Sequence, residues 1–317
     1  MKSVSILIPC FNAENYIAET LNSVFSNISS SDEIILIDDH SSDNTLEIAT
    51  RLLKNSGCAF QASTNPKKGA CSARNHALKI SQGQYIQWLD ADDILGPNKL
   101  STQRDALLGQ SNFIITSPFR PFRKSIDKGL IKDSRSWNFE KTNLAADWMS
   151  MDPMCIPACW LIPRSCAEKA GPWDESLLVN QDGEYFARVI ACIDKILFTD
   201  AVEVFYRREG QGVSKFTPEK ADSLFRSTEA ISTTALQLEN SQRMRQMISN
   251  RWQHFIYTVY PHAPKLQELA QKKLQHLPKP NTTNPNAVST ASRAFSTIFG
   301  WKALTHARFL TNKFRGS

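Results

Sequence analysis

Apolar residues in the first third of the chain follow two rhythms. Val4–Ile8, Ile34–Ile37 and Tyr85–Leu89 are short, mainly apolar runs, the pattern of strands buried on both faces, and Ala59–Ala62 is a weaker run of the same kind. Pro9 is expected to end the first strand, because the residue before a proline is held extended and the proline itself lacks a ladder donor. Between the runs, helical spacing takes over. Ile17, Leu21, Val24, Phe25 and Ile28 recur on one face after Asn12, and Leu46, Ala49, Leu52 and Leu53 do so after the polar stretch Asp38–Asp43. The turn-rich Asn65-Pro66-Lys67-Lys68-Gly69 leads into a third predicted helix from about Ala70 to Ile80. Strands alternating with helices over short connections imply an α/β domain with a largely parallel sheet. Ligands of such sheets gather at the carboxyl ends of the strands, so the loops after Ile8, Ile37 and Leu89 are expected to surround one site.

Beyond Asn98 the pattern is less regular. Phe113–Thr116 and Val202–Tyr206 read as strands and Asp182–Ile193 as a helix. Long helical patterns fill Pro218–Leu277, and the Pro/Asn/Thr-rich stretch Pro278–Asn286 reads as a linker.

Charge changes the picture at one end only. The chain has a formal net charge of +6, yet no acidic residue follows Glu268, while Lys272, Lys273, Lys279, Arg293, Lys302, Arg308, Lys313 and Arg315 do. The remainder is slightly acidic, which removes the support for a nucleic-acid partner. Neither a signal-type start nor an apolar run of bilayer length appears, so export and a spanning helix are not expected. The seven cysteines lack paired CxxC spacing and read as reduced, small apolar side chains of a cytoplasmic protein, with Cys155 and Cys159 able to share a helix face.

The sharpest chemical feature is Asp90-Ala91-Asp92-Asp93, three carboxylates at the end of a buried strand. By itself such a cluster is more often a solvated turn than a site. Its position beside two other polar loops reverses that preference. Like charges so close raise one another's pKa, and a hard divalent cation, Mg²⁺ or Mn²⁺, held by one or two carboxylates together with nucleotide phosphates, relieves the repulsion.

An ordered set of motifs then resembles glycosyltransferase family 2, the inverting family with the type A glycosyltransferase fold. The set runs Ser5-Ile-Leu-Ile-Pro9-Cys-Phe11-Asn12, Ile37-Asp38-Asp39-His-Ser-Ser42-Asp43-Asn-Thr45, Ala73-Arg74-Asn75, Asp90-Ala-Asp92-Asp93, Trp160-Leu-Ile-Pro163-Arg164, Gly171-Pro-Trp173-Asp174-Glu175 and Asp182-Gly183-Glu184. The likeness covers about Ser3 to Ser214. It implies a Rossmann-like nucleotide-diphospho-sugar transferase domain at 1–215, with a nucleotide-sugar half at 1–97 and an acceptor half at 98–215. A C-terminal helical extension at 216–277 and a basic linker and tail at 278–317 would follow.

The resemblance implies roles for individual residues. Pro9, Phe11 and Asn12 would line the nucleobase pocket, Phe11 stacking on the base, and Asp38 would accept a hydrogen bond from the base's ring N–H. Arg74 would reach the base or its phosphates. Asp93 would ligate the metal directly, with Asp92 near ribose and metal and Asp90 supporting the turn, although these three roles can be permuted. Asp43 reads as structural. Asp182 would be the general base that deprotonates the acceptor hydroxyl as it displaces the diphosphate in one inverting step, with Gln181 standing where the family more often has glutamate. Trp160 and Trp173 are weaker candidates for stacking on acceptor sugars, with core packing equally open. Arg207, with Arg208, would face the donor diphosphate.

The expected donor is a nucleoside-diphosphate sugar, a UDP-sugar by default, and the expected acceptor a glycan or lipid-linked glycan of the cell surface. A sugar-1-phosphate nucleotidyltransferase should carry glycines where this chain reads Pro9-Cys-Phe-Asn, and Asp182 with the intact acidic cluster speaks against a non-catalytic binding or scaffold subunit. In the tail, Phe295, Ile298, Phe299, Phe309 and Leu310 fall on one side of an ideal helix. Lys302 and Lys313 share that side, while Trp301 and Leu304 fall off it. This gives a mediocre amphipathic signal for peripheral contact at the cytoplasmic face of a membrane.

Overall fold

The computed structural model describes residues 3–110, 112–131, 137–209, 216–284, 289, 292, 294 and 298–305. The chain forms two compact units, one made of Met1–Ser176 and Gln181–Val213, the other of Leu177–Asn180 and Ser214–Ser317.

In the first unit, strands β1 (Val4–Cys10), β2 (Glu33–Asp38), β3 (Ala59–Thr64) and β4 (Tyr85–Trp88) alternate with helices α1 (Ile17–Phe25), α2 (Thr45–Asn55) and α3 (Ala70–Ile80). These four strands are parallel, in the order β3-β2-β1-β4, and β9 (Ile162–Pro163) adds an antiparallel edge beside β4. The apolar residues of β1, β2 and β4 are buried, and so are Ser5 and Gln87 among them, whereas β3 lies at the sheet's other edge and alternates in exposure. Because β2 and β3 lie to one side of β1 and β4 to the other, the strand order reverses at β1. Sheets of this kind bind their ligands at such a reversal, here the carboxyl ends of β1 and β4.

One boundary differs from expectation for a clear reason. The first strand does not stop at Pro9 but pairs with β2 through Cys10. Leu7 accepts from Leu89 N, so its polar groups face β4, and two residues on Pro9 faces the same way. The pairing of β1 with β4 ends at Leu7 and Trp88, so the missing donor of Pro9 points past the ladder.

The rest of this unit is built from β5 (Ile94–Leu95), α4 (Lys99–Ala106), β6 (Phe113–Thr116), β7 (Phe119–Phe122), α5 (Ile126–Gly129), β8 (Thr142–Leu144), α6 (Ala145–Met151), α7 (Arg164–Ala170), α8 (Gln181–Ala191), β10 (Lys195–Phe198) and β11 (Val204–Arg207). Its strands form two small mixed sheets, ordered β6-β10-β8 and β5-β11-β7. Cys159 lies in a short 3-10 turn, Pro157–Cys159, that Cys155 precedes, so the two cysteines do not share a helix face. All seven cysteines are free thiols.

The second unit is helical, with α9 (Ala221–Leu238), α10 (Gln242–Val259) and α11 (Pro264–Leu274). Ser241 caps α10 by accepting from Met244 N at 3.3 Å, and Pro264 opens α11 where a missing N–H costs nothing. Phe225, Trp252 and Phe255 pack together with ring centroids 5.0 to 5.8 Å apart. Among the described residues no helix is long and apolar enough to cross a membrane.

Candidate functional site

Three loops meet at this edge of the sheet. The first, after β1, exposes Phe11, 51% accessible, with the Lys68 ammonium 5.8 Å from its ring centre. Asn12 adopts a positive φ of 47°, and its side-chain oxygen accepts from Ser42 N at 2.8 Å while its own N–H donates to Ser41 Oγ. Asn12 therefore fastens the β1 loop to the β2 loop.

In the second loop, Asp38 is buried at the end of β2, where it accepts from Ser41 N at 3.0 Å and lies 3.7 Å from the Cys10 thiol. Burial, and next the Asp38 charge, push that thiol well above its usual range, so Cys10 stays neutral. Asp39 turns the other way. It accepts from Asn65 Nδ2 at 2.8 Å and from Gly69 N at 2.7 Å, which pins the loop before α3 at a glycine whose φ of 137° suits no other residue. Asp43 accepts from Thr45 N and Glu14 N, the structural role read from the sequence.

The third loop is the acidic turn after β4. Asp93 N donates to Asp90 O, and Thr20 of α1 holds the Ala91 carbonyl at 2.9 Å. Two buried guanidinium groups grip this turn. Arg74 of α3 pairs with Asp90 at 2.8 Å, stands 4.7 Å over the Trp173 ring, and comes within 3.5 Å of Gln181 Oε1 at the start of α8. Arg207 of β11 donates from Nε to the Asp92 carbonyl at 2.9 Å and from Nη1 to the Lys124 carbonyl at 3.1 Å; it also pairs with Glu19 of α1. Its backbone N–H donates to Asp93 Oδ1 at 3.0 Å. Arg207 is thus buried and committed to the acidic turn from within, while Arg208 is exposed beside Tyr206.

The three carboxylates differ in consequence. Asp93 is 1% exposed, faces inward, and is pushed far toward the neutral form by burial and then by Asp92 and Asp90. Asp90 and Asp92 are half-buried. Burial first, then the Asp90 charge, raises Asp92 to about 6, with Arg207 opposing. Such a pair suits a hard cation. Among the described residues no group of three or more His, Cys, Asp or Glu side chains could hold a metal alone, and a Mg²⁺ or Mn²⁺ shared with a diphosphate needs only one or two carboxylates.

Asp182, in the first turn of α8, is brought to the same place. Burial raises it to about 6, Arg74 lowers it, and Asp90 raises it further. The Arg74 guanidinium therefore acts on the carboxylates of the turn and on the carboxylate of α8 alike. Asn75, the residue beside Arg74, holds the Trp173 backbone through Nδ2 to O at 3.0 Å and N to Oδ1 at 2.8 Å. It was not singled out in the sequence, although it belongs to the same Ala-Arg-Asn motif.

Both candidate acceptor tryptophans are core residues. Trp173 is 1% exposed and stacked on Tyr185 at 4.0 Å, and Trp160 is 2% exposed and stacked on Phe186 at 5.3 Å. Rings so enclosed offer no face to a sugar. Their large apolar areas close the gap between the central sheet and α8 instead.

Comparison with known proteins gives a consistent answer. A family model described as Glycosyl transferase family 2 matches residues 5–171. An Escherichia coli protein named UDP-Glc:alpha-D-GlcNAc-diphosphoundecaprenol beta-1,3-glucosyltransferase WfgD is 41% identical over 106 residues, which is 33% of this chain and 41% of that one. The chain spans about half the length of the curated relatives it matches. Among solved structures, residues 1–349 of TarS from S. aureus in complex with UDP-GlcNAc superpose with a TM-score of 0.70 at 18% identity, over 98% of this chain and 92% of that one. The mannosyltransferase PcManGT from Pyrobaculum calidifontis, in complex with GDP-Man and Mn²⁺, gives 0.57 at 13% identity, over 98% and 87%. These likenesses identify the type A glycosyltransferase fold.

Proposed function

This chain belongs to glycosyltransferase family 2, and we propose that it moves a sugar from a UDP-sugar to the hydroxyl of a lipid-linked glycan, inverting the anomeric configuration. The observation that carries the reading is the convergence of Asp38, the acidic turn and Asp182 on one sheet edge at the strand-order reversal. Support for the donor nucleotide comes from the UDP-Glc and UDP-GlcNAc in the names of the similar proteins, and for the acceptor class from the diphosphoundecaprenol in one of them. Such an acceptor is held at a membrane surface.

In this reading the exposed Phe11 ring stacks on the base and Pro9 borders it, while Asp38 accepts from the base's ring N–H with the lone pairs that Ser41 leaves open. Asn12 keeps the two loops together around the base. Asp92, with Asp90 beside it, is the carboxylate open to a divalent cation, which when bound would neutralise charge on the departing diphosphate. Asp93 supports the turn from inside, and Arg207 and Arg74 hold it from opposite elements. Asp182 takes the proton from the acceptor hydroxyl as its oxygen attacks the anomeric carbon. Its raised pKa makes it a better base near neutrality than an ordinary aspartate, because a proton acceptor is most effective when its pKa approaches the working pH.

The test is a donor screen read as nucleoside diphosphate release, with Mn²⁺, with Mg²⁺ and with chelator. Metal-dependent release from a UDP-sugar is expected. No release or binding with any sugar nucleotide would overturn the reading.

A further inference from the structure

Of the tail residues placed on one side of an ideal helix, Phe295, Phe309, Leu310 and Lys313 lie outside the described residues, whereas the buried polar groups beside β4 lie within them. Lys99, the first residue of α4, is wholly buried, as are Gln87 of β4 and Gln103 of α4. Lys99 Nζ donates to Gln87 Oε1 and to Gln103 Oε1, both at 2.6 Å. Among the described residues no carboxylate pairs with it. Burial draws the amine down to about 7, with only the Cys159 thiol opposing, and the charged and neutral forms alike keep the two N–H donors that the glutamines require. A lysine in such a place costs more than an apolar side chain of its size would. Its use lies in what the two glutamines hold.

They hold backbone at the root of the acidic turn. Because both amide oxygens face Lys99, both amide NH₂ groups turn outward onto carbonyls. Gln87 Nε2 donates to Trp88 O at 2.6 Å and to Ala158 O at 3.0 Å, and Gln103 Nε2 donates to Cys159 O at 3.0 Å. The ladder between β4 and β9 ends at Ile86. Leu89 N donates to Leu7 O on the β1 side, so the polar groups of Trp88 face the side where β9 has ended. The Gln87 amide meets the Trp88 carbonyl in place of a neighbouring strand. Directly before Asp90 the chain is thus held from both sides, by β1 and by a side chain that Lys99 orients.

We propose that Lys99 is a positioning residue for the cation site of the acidic turn, acting through Gln87 on β4. A buried carbonyl that loses its donor costs free energy, which the strand relieves by shifting. Carboxylates that share a small hard cation with a diphosphate tolerate little displacement, because the cation demands nearly regular octahedral geometry. Groups that orient such carboxylates from behind therefore act on cation affinity without touching the cation. Gln103 supplies an internal contrast, since it shares Lys99 and the 157–159 turn with Gln87 but does not hold β4.

The inference rests on the proposed donor chemistry, and its test keeps the two apart. Gln87→Glu and Gln103→Glu each place a carboxylate on Lys99, and each turns a donor into an acceptor before a carbonyl of the 157–159 turn. Only Gln87→Glu also releases the Trp88 carbonyl. In the full chain, Mn²⁺ binding in the presence of UDP is titrated without turnover, beside the melting temperature and kcat with a UDP-sugar. Gln87→Glu is expected to weaken Mn²⁺ binding roughly tenfold or more and to lower kcat with it. Gln103→Glu should bind Mn²⁺ as the wild type does, at a similar cost in melting temperature. Lys99→Met, which frees both glutamines, should follow Gln87→Glu; if it does not fold, the glutamine pair decides. Equal Mn²⁺ binding by the two glutamate variants, wild-type binding by Lys99→Met, or a loss of folding confined to Gln87→Glu would each overturn the inference and leave the transferase reading intact. A wild type that binds neither Mn²⁺ with UDP nor any sugar nucleotide would overturn both.

Discussion

Residues 4–97 and residues 98–209 contribute to the same acidic turn by different means. The first region brings Cys10, Asp38 and Asp90 to one sheet edge by position, each at or just beyond the carboxyl end of a parallel strand, and adds Arg74 and Thr20 from the helices between those strands. The second region reaches the turn through single groups on distant elements, Arg207 at the end of β11 and Gln181–Asp182 at the start of α8. Local pattern therefore places the loops, whereas long-range contacts decide which carboxylate faces out and which is held in.

The strongest way to break this comparison is to remove chemistry from the second region. If Asp182 is the base, Asp182→Asn lowers kcat by about 10²- to 10⁴-fold while donor binding changes little, as read by nucleoside diphosphate release and by titration with the sugar nucleotide. Turnover equal to wild type would reduce the second region to scaffolding. Within the first region, Asp92→Asn is expected to cost roughly 10²-fold or more in metal-dependent turnover and to raise the cation concentration needed. Asp93→Asn should cost about tenfold less than that, because the amide oxygen still accepts from Arg207 N. Equal losses would return Asp93 to the metal.

Arg207→Met tests the reach itself. It leaves the Asp92 and Lys124 carbonyls without their guanidinium donors, a loss of about 2 kcal/mol once the exposure of Glu19 is discounted. Thermal melting should fall accordingly. Turnover should fall with it even when the assay is run well below the melting transition, because the turn has lost its inner support. A variant that melts early yet turns over normally would show that Arg207 serves the fold alone.

What the sequence made legible follows the same division. The alternation of apolar runs and helical spacing was enough for the parallel sheet and for the loops at its edge, because both are set by residues near one another in the chain. Pro9 misled at one strand end, since a local rule about ladder donors depends on where the neighbouring strand stops. Trp160 and Trp173 were ambiguous because an aromatic ring that stacks on a sugar and one that fills a core look alike in sequence. Only the packing of Tyr185, Phe186 and Arg74 separates the two. Arg207 was expected near the donor diphosphate, and its pairing with Glu19, 188 residues away, left no mark in either segment. The inward turn of Asp93 was hidden for the same reason.

The smallest expected effect, and the sharpest probe of the shared turn, is a divergence between stability and activity with pH. Asp92 and Asp182 are both raised from an ordinary 3.8 to about 6, chiefly by burial. At these two positions the folded protein then holds more protons than the unfolded chain between about pH 4 and 6. Stability contributed by the neutral carboxyls is complete below the unfolded value and is lost as pH rises through the folded one. Activity has the opposite sign, because Asp182 must be ionised to accept a proton. Below about pH 6, kcat/KM should fall roughly tenfold per unit, while the contribution of Asp92 and Asp182 to the melting temperature of the metal-free protein, read as the difference from Asp182→Asn, rises over the same interval. Asp182→Asn should flatten the melting curve by removing one of the two groups, and Mn²⁺ at neutral pH should recover stability by neutralising the other. Asp182→Asn melting with the same slope as wild type from pH 4 to 6 would mean that Asp182 is not held toward its neutral form by burial, and its tuning as a base near neutrality would have to be abandoned.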